Sequence, residues 1–308
     1  YFDLGGINCT SDAACASSFS ALSQGLNELY MGTSDVVLVG GADTNNDTFL
    51  FVSFSKTPAL SPTHDCRPFS DKADGMVLGE GIGMLAIKRL EDAERDGDQI
   101  YAVIRGIGAS SDGKGKSIYA PCAQGQAVAL RRCYEAASYS PETVELLEAH
   151  GTATRPGDKA EVEALTNVFG NETERKDKQW CALGSVKSQI GHTKSAAASA
   201  GIIKAVMGLH HKVLPPTIKV EQPNPSMKIE ESPFYVNTEC RPWVRDDAHP
   251  RRASVSSFGF GGTNFHVTVE EYKGKGKPAW RLRNVPSELV VISAENAKGL
   301  EDLCRETA

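Results

Sequence analysis

Apolar residues recur along this chain with a small number of spacings, and each spacing predicts an element. Between Ala16 and Met31, Phe19, Leu22, Leu26 and Leu29 stand three, four and three apart, which predicts a helix with one buried stripe. Val36 to Gly41 is a short apolar run and predicts a buried strand. The alternation then repeats, with a helix predicted over Val128 to Ala137, a strand over Val144 to Ala149 and a helix over Asp158 to Phe169. Asp158 precedes the apolar run Val162, Leu165, Val168 and has Glu161 three residues on, so the pair predicts a capping box at that helix start. Leu183 to Val186 predicts a short strand. Lys194 to Leu209 predicts a helix rich in small residues, with Ile202, Ile203, Val206 and Leu209 as its apolar face.

Pro215, Pro216, Pro223 and Pro225 make Leu214 to Ser226 an extended surface connection, because proline removes a backbone donor and restrains its predecessor. Two late strands, Ala253 to Phe258 and Asn264 to Glu270, flank the cluster Gly259, Gly261, Gly262. Beyond Tyr272 the pattern weakens and resumes briefly at Leu289 to Ser293, so a domain end is expected near 272. Alternating helices and strands indicate the α/β class.

Composition narrows the possibilities. At 308 residues the chain can bury a sizeable core. No apolar stretch approaches the roughly 20 residues of a membrane helix, and no membrane role is expected. A net charge of -6 argues against a phosphate-tracking surface, so no nucleic acid is expected either. The one basic cluster, Lys273, Lys275 and Lys277, alternates with glycine and reads as a solvated linker. Eight cysteines are scattered with no C-x-x-C pair, which fits a reducing cytoplasm and no metal site. The first residues carry neither a starting Met nor a targeting pattern, and the chain reads as part of something longer.

Several residues could carry chemistry. Cys15 lies just before the first predicted helix, where the helix start favours thiolate, although such a cysteine taken alone is more often an inert buried hydrophobe. His150 follows a strand and opens a Gly- and Thr-rich turn; Lys187 and His192 lie between another strand and a helix. Two imidazoles and a lysine in matching turns form a candidate acid-base and electrostatic set. The glycines from 259 to 262 expose backbone N–H groups of the kind an oxyanion hole needs, and would serve equally in a tight β turn. His64, His210, His211 and His249 lie outside such settings and read as surface or packing residues.

Taken together, DAACASS around Cys15, RPFSDKADGMVLGEG at 67–81, HGTATRPGD at 150–158, VKSQIGHTKSAA at 186–197 and SFGFGGTNFH at 257–266 resemble the β-ketoacyl synthase family of thiolase-fold condensing enzymes. Within it, SSDGKG at 110–115 and EAHGTAT at 148–154 are similar to ketosynthase domains of polyketide and polyunsaturated fatty-acid megasynthases. The resemblance implies a layered α/β/α/β/α fold, with 1–272 as the ketosynthase domain and 273–308 as linker towards a following domain. It implies that Cys15 accepts an acyl group from the phosphopantetheine arm of an acyl carrier protein. His150 and His192 would then assist decarboxylation of a malonyl thioester, with Lys187 tuning them. The amides of Cys15 and Phe260 would form the oxyanion hole, Phe260 would also gate the site, and Thr152, Thr154, Phe258 and Asn264 would contact substrate. No cofactor of its own is implied; a homodimer and neighbouring megasynthase domains are.

Departures from the family pattern are local, with Ala153 and Ala198 standing where many relatives have glycine, except at the start. There the family carries a long segment before its cysteine and this chain has residues 1–14, so the five-layer core is expected to be incomplete, with an apolar face left open. Three rivals stay in view. A non-elongating scaffold would lack one of the reacting groups, a hydrolytic Cys-His enzyme leaves the second histidine unexplained, and a structural or redox domain predicts that Cys15 matters for stability alone.

Overall fold

The computed structural model describes residues 3–114, 117, 119–245, 248–275 and 292–307. In chain order the elements begin with α1 (Ser17–Tyr30), β1 (Val36–Asp43), α2 (Thr48–Lys56), β2 (Gly81–Lys88), α3 (Leu90–Asp96), β3 (Val103–Ser111) and α4 (Ala123–Ala137). Next come β4 (Leu146–Glu148), α5 (Arg155–Thr166), β5 (Cys181–Gly184), α6 (Lys187–Ile190) and α7 (Ala197–His211). The chain continues through β6 (Val213–Leu214), β7 (Phe234–Val236), β8 (Arg241–Pro242), β9 (Arg252–Gly259), β10 (Thr263–Glu270) and α8 (Ala297–Thr307). Most of the predicted stretch Leu289 to Ser293 lies outside the described residues.

A six-stranded mixed sheet, ordered β3-β10-β9-β4-β5-β7, forms the centre. Its strands β9, β4, β5 and β7 run parallel, whereas β10 pairs antiparallel with both β9 and β3. One face is covered by α4 and α5, through a core that includes Leu130, Leu147, Leu165, Leu183 and Phe234. The other face meets α1 and α7 through Phe19, Leu22, Ile202, Leu209, Val255 and Val267. Phe19, Leu22 and Leu29 are buried and Leu26 is partly so, as their spacing predicts. On α7 the buried stripe is instead Ala198, Ile202, Ala205 and Leu209, and Ile203 faces outward at 37% exposure. Small residues let that helix lie close to its neighbours, so alanines take positions the hydropathy pattern assigns to larger side chains.

Beyond α1 and α7 lies a two-stranded antiparallel ribbon of β1 and β2. Val39 and Ile87 point into the core, while Val36, Leu38, Ile82 and Met84 on the opposite face are 50–69% exposed. Four layers of the α/β/α/β/α order therefore stand among the described residues, and the ribbon's outer face is open. Among those residues no helix is long and apolar enough to cross a membrane.

Candidate active site

Because β4, β5 and β9 are parallel, their C-terminal ends face the same way and bring three turns to one edge of the sheet. These turns carry His150, the segment from Lys187 to His192, and Phe258 to Gly262. Cys15 arrives from the α1 layer, in the 3-10 turn Ala14–Ala16 that runs directly into α1. Ala14 adopts φ 50° there, a left-handed backbone held by an Ala14 N–H bond to the Asp12 carboxylate at 2.8 Å. Ser257 Oγ donates to the Cys15 carbonyl at 2.8 Å and ties this turn to β9.

The Cys15 sulfur and one ring nitrogen from each of His150 and His192 lie within 4.8 Å of one another. His192 Nε2 is 3.1 Å from the sulfur, and the two imidazoles meet edge-on with centroids 5.5 Å apart. The backbone N–H of Lys194 donates to His192 Nδ1 at 3.1 Å. A neutral imidazole accepting at Nδ1 carries its proton on Nε2, so His192 presents an N–H, not a lone pair, to the sulfur. Neutrality follows from the surroundings: burial, then the charges of Lys187 and Lys194, holds His192 well below the usual histidine range. Burial, then Lys187 and His192, does the same for His150, whose Nδ1 has no hydrogen-bond partner among the described residues.

Burial also pushes the Cys15 thiol up, against the pull of the Phe260 N–H, the Lys187 charge and its own N–H. The expected helix-start thiolate is thus corrected, because desolvation outweighs the donors and the resting group is a thiol. The same two amides, of Phe260 and Cys15, converge beside the sulfur, which is the donor pair a tetrahedral oxyanion requires.

Cys15, His150, Thr152, Thr154, His192, Phe258, Phe260 and Asn264 all line one cavity of about 520 Å³. Asn264 Nδ2 donates to Asp112 at 2.7 Å, and Phe260, 45% exposed, packs its ring 5.4 Å from Tyr119 at the mouth. Lys187 is buried and stands behind the imidazoles outside the lining.

Asp158 and Glu161 do not cap a helix. Helix α5 begins at Arg155, with Thr154 at its N-cap and Pro156 in its first turn, which places Asp158 inside the helix and fully buried. Its two oxygens accept N–H bonds from Phe69 at 2.8 Å and Ala153 at 3.1 Å. Glu161 accepts from His150 at 2.7 Å and Gly151 at 2.8 Å. Burial raises both carboxyls to about 7, against those donors. They clamp the backbone of the histidine turn. Pro156 was the sequence signal for the true helix start. For Ser257 and the Lys194 amide, no residue-type signal exists.

Comparison with known proteins places this arrangement. Residues 1–93 match the model for the beta-ketoacyl synthase N-terminal domain, 101–221 that for the C-terminal domain, and 223–308 the ketoacyl-synthetase C-terminal extension. The chain is 46% identical over 308 residues to a polyunsaturated fatty acid synthase polypeptide of Thraustochytrium, covering 99% of itself and 11% of that protein. It is 43% identical over 290 residues to polyketide synthase PksL of Bacillus subtilis, covering 94% of itself and 6% of the relative. Among solved structures it is similar to the ketosynthase from module 6 of the Bacillus subtilis bacillaene synthase, with a TM-score of 0.83 and 42% identity over 96% of this chain and 50% of that one. The oxazolomycin ketosynthase domain of Streptomyces albus gives a TM-score of 0.85 at 32% identity, covering 99% and 53%. The chain thus spans about half the solved ketosynthases and a small part of the curated synthases. With family models matched from end to end and the layered fold shared with solved ketosynthases, this chain belongs to the β-ketoacyl synthase family, with the thiolase-like fold.

Proposed function

We propose that this chain carries the reacting groups of a decarboxylative condensing enzyme that elongates acyl chains held on an acyl carrier protein. One observation carries the proposal: a thiol faces two neutral imidazoles, one of which is fixed by the Lys194 amide as an N–H donor. A hydrolytic Cys-His site needs the opposite tautomer, with a lone pair towards the thiol. An N–H donor beside the sulfur, with a second neutral imidazole in reach, suits an enolate oxygen.

In the first half-reaction the Cys15 sulfur attacks the carrier-bound thioester. Its proton passes to the departing pantetheine thiolate, and the Cys15 and Phe260 amides hold the oxyanion. In the second, a malonyl thioester loses carbon dioxide and leaves an enolate whose oxygen accepts from His150 and His192. The enolate carbon attacks the Cys15 thioester, the carbon-sulfur bond breaks, and the released thiolate takes a proton from solvent. Thr152 and Thr154, whose hydroxyls are 3.0 Å apart on the cavity wall, would contact the pantetheine arm, and Phe258, Phe260 and Asn264 the rest of the substrate. Substrates come on that arm, so the chemistry needs no cofactor held by this chain. A non-elongating scaffold has less support, because every reacting group is in place.

The test is mass spectrometry of the Cys15 peptide after incubation of the intact protein with acyl carrier protein loaded with an acyl chain. Acyl mass on Cys15, and carbon dioxide release from malonyl carrier protein reduced by at least about a hundredfold in His150→Ala or His192→Ala, are expected. Normal product from Cys15→Ala would end the proposal.

A further inference from the structure

At the base of the two histidine turns lies a carboxylate that the reaction does not touch. Glu148, the last residue of β4, is 1% exposed, and both its oxygens are committed. Oε1 accepts the Val186 N–H at 2.6 Å, and Oε2 accepts from Lys204 Nζ at 2.7 Å. The ion pair is shut away from solvent, with side chains 9% and 2% exposed. Val186 immediately precedes Lys187, and Glu148 stands two residues before His150. One side chain therefore joins the end of β4, the start of α6 and the middle of α7. Helix α7 is shaped around it, since a Cβ on Gly201 would stand 3.3 Å from Glu148 Cγ and 3.1 Å from Val255 Cγ1.

Lys187 is the reason such a group is needed. Its ammonium is buried, and an ammonium out of water needs negative charge nearby. Burial lowers it, and the groups acting against that are Glu148 first and Glu161 second, followed by Cys66 and Cys15. Facing it from the other turns are Asp158 and the two neutral imidazoles. Burial raises the Glu161 carboxyl to about 7, so at neutral pH it holds only part of a charge, which leaves Glu148 as the larger balancing charge.

We infer that Glu148 is a positioning residue that locks the His150 and Lys187–His192 turns in register and supplies the counter-charge that keeps the Lys187 ammonium in place behind the imidazoles. The role presumes the condensing chemistry proposed above, but its test need not. Glu148→Gln keeps an acceptor for Val186 and strands the Lys204 cation, so it lowers Tm by roughly 10 °C. Two further variants separate packing from charge. Glu148→Gln with Lys204→Met removes both charges and keeps the acceptor, whereas Lys204→Met alone leaves the carboxylate to act on Lys187.

The first readout is the pH dependence of Lys187 acetylation by acetic anhydride in the intact protein, followed by mass spectrometry. Its midpoint moves down by about one pH unit in the double variant and up in Lys204→Met. The alkaline limb of malonyl decarboxylation follows the same two directions. Midpoints that coincide with wild type, or that shift the same way in both variants, overturn the role. Midpoints that move as stated in a protein whose wild type releases no carbon dioxide sink the condensing reading and leave the counter-charge standing.

Discussion

The six-stranded sheet and the β1–β2 ribbon invert the usual relation between hydropathy and burial. On the α4 face of the sheet, Ser254, Ser256, His266 and Thr268 are all 3% exposed or less. On the outer face of the ribbon, Val36, Leu38, Ile82 and Met84 are at least half exposed. Partners and coverage account for both. Tyr134, from α4, places its hydroxyl 2.8 Å from Ser254 and 3.0 Å from His266 Nε2, and Ser256 lies 3.0 Å from His266 Nδ1. Ser254 donates to Thr268 at 3.0 Å, and Tyr139 lies 2.6 Å from Thr268. Every polar group there is satisfied within the layer, so burial costs little. The turns that carry His150, Lys187 and Phe260 grow from this covered sheet, which gives them a rigid base.

The sharpest way to break that comparison is to charge the buried network. Burial drives His266 down to about 3, whereas an unfolded histidine titrates near 6.5. Between those values the unfolded chain binds the extra proton, so the stability His266 contributes is present above pH 6.5 and is lost as pH falls towards 3. By pH 4 the loss amounts to about 3 kcal/mol. Denaturant unfolding of wild type and His266→Gln from pH 7 to 4 should show their difference shrink by that order. A difference independent of pH would mean that His266 accepts a proton in place.

Next in size is the clamp on the histidine turn. Glu161→Gln keeps one acceptor but turns an amide NH₂ towards one of the two N–H groups of His150 and Gly151. The turn must shift to relieve that contact, and a displacement of about 1 Å at a reacting group costs about a hundredfold in rate. Malonyl decarboxylation should fall by that order, while acylation of Cys15, on a separate turn, should change much less. Equal losses in both half-reactions would show that the clamp supports the whole site.

How much of this was legible beforehand depended on whether side chains or backbone carry the feature. The α1 stripe of Phe19, Leu22 and Leu29 was readable because packing there is between side chains. Strand β3 was not, because Gly106 and Gly108 interrupt its pattern. At Gly108 a Cβ would stand 2.0 Å from the Ala129 carbonyl, so the glycine marks helix α4 lying on bare backbone. Asp158 and Glu161 were visible as a pair three apart, but that spacing belongs equally to a cap and to two buried carboxylates on one helix face. The start of α5 at Arg155, which Pro156 signals, separates the two. The tautomer of His192 rests on the Lys194 amide, which every residue but proline possesses, so no sequence pattern could carry it.

The smallest effect concerns the ribbon. Ile82 is 69% exposed and its strand neighbour Ile87, at 8%, carries the packing against α1. Ile82→Thr removes apolar surface that water already reaches in this structure and keeps the β-branched shape a strand prefers, so stability should stay within about 0.5 kcal/mol of wild type. The measured cost reads what lies against that face. If the cost there rises to that of a buried isoleucine, about 2 kcal/mol or more, another layer covers the ribbon as α4 covers the sheet. If it stays near zero, the open face is a property of the protein, and the contrast between its two sheets holds in full.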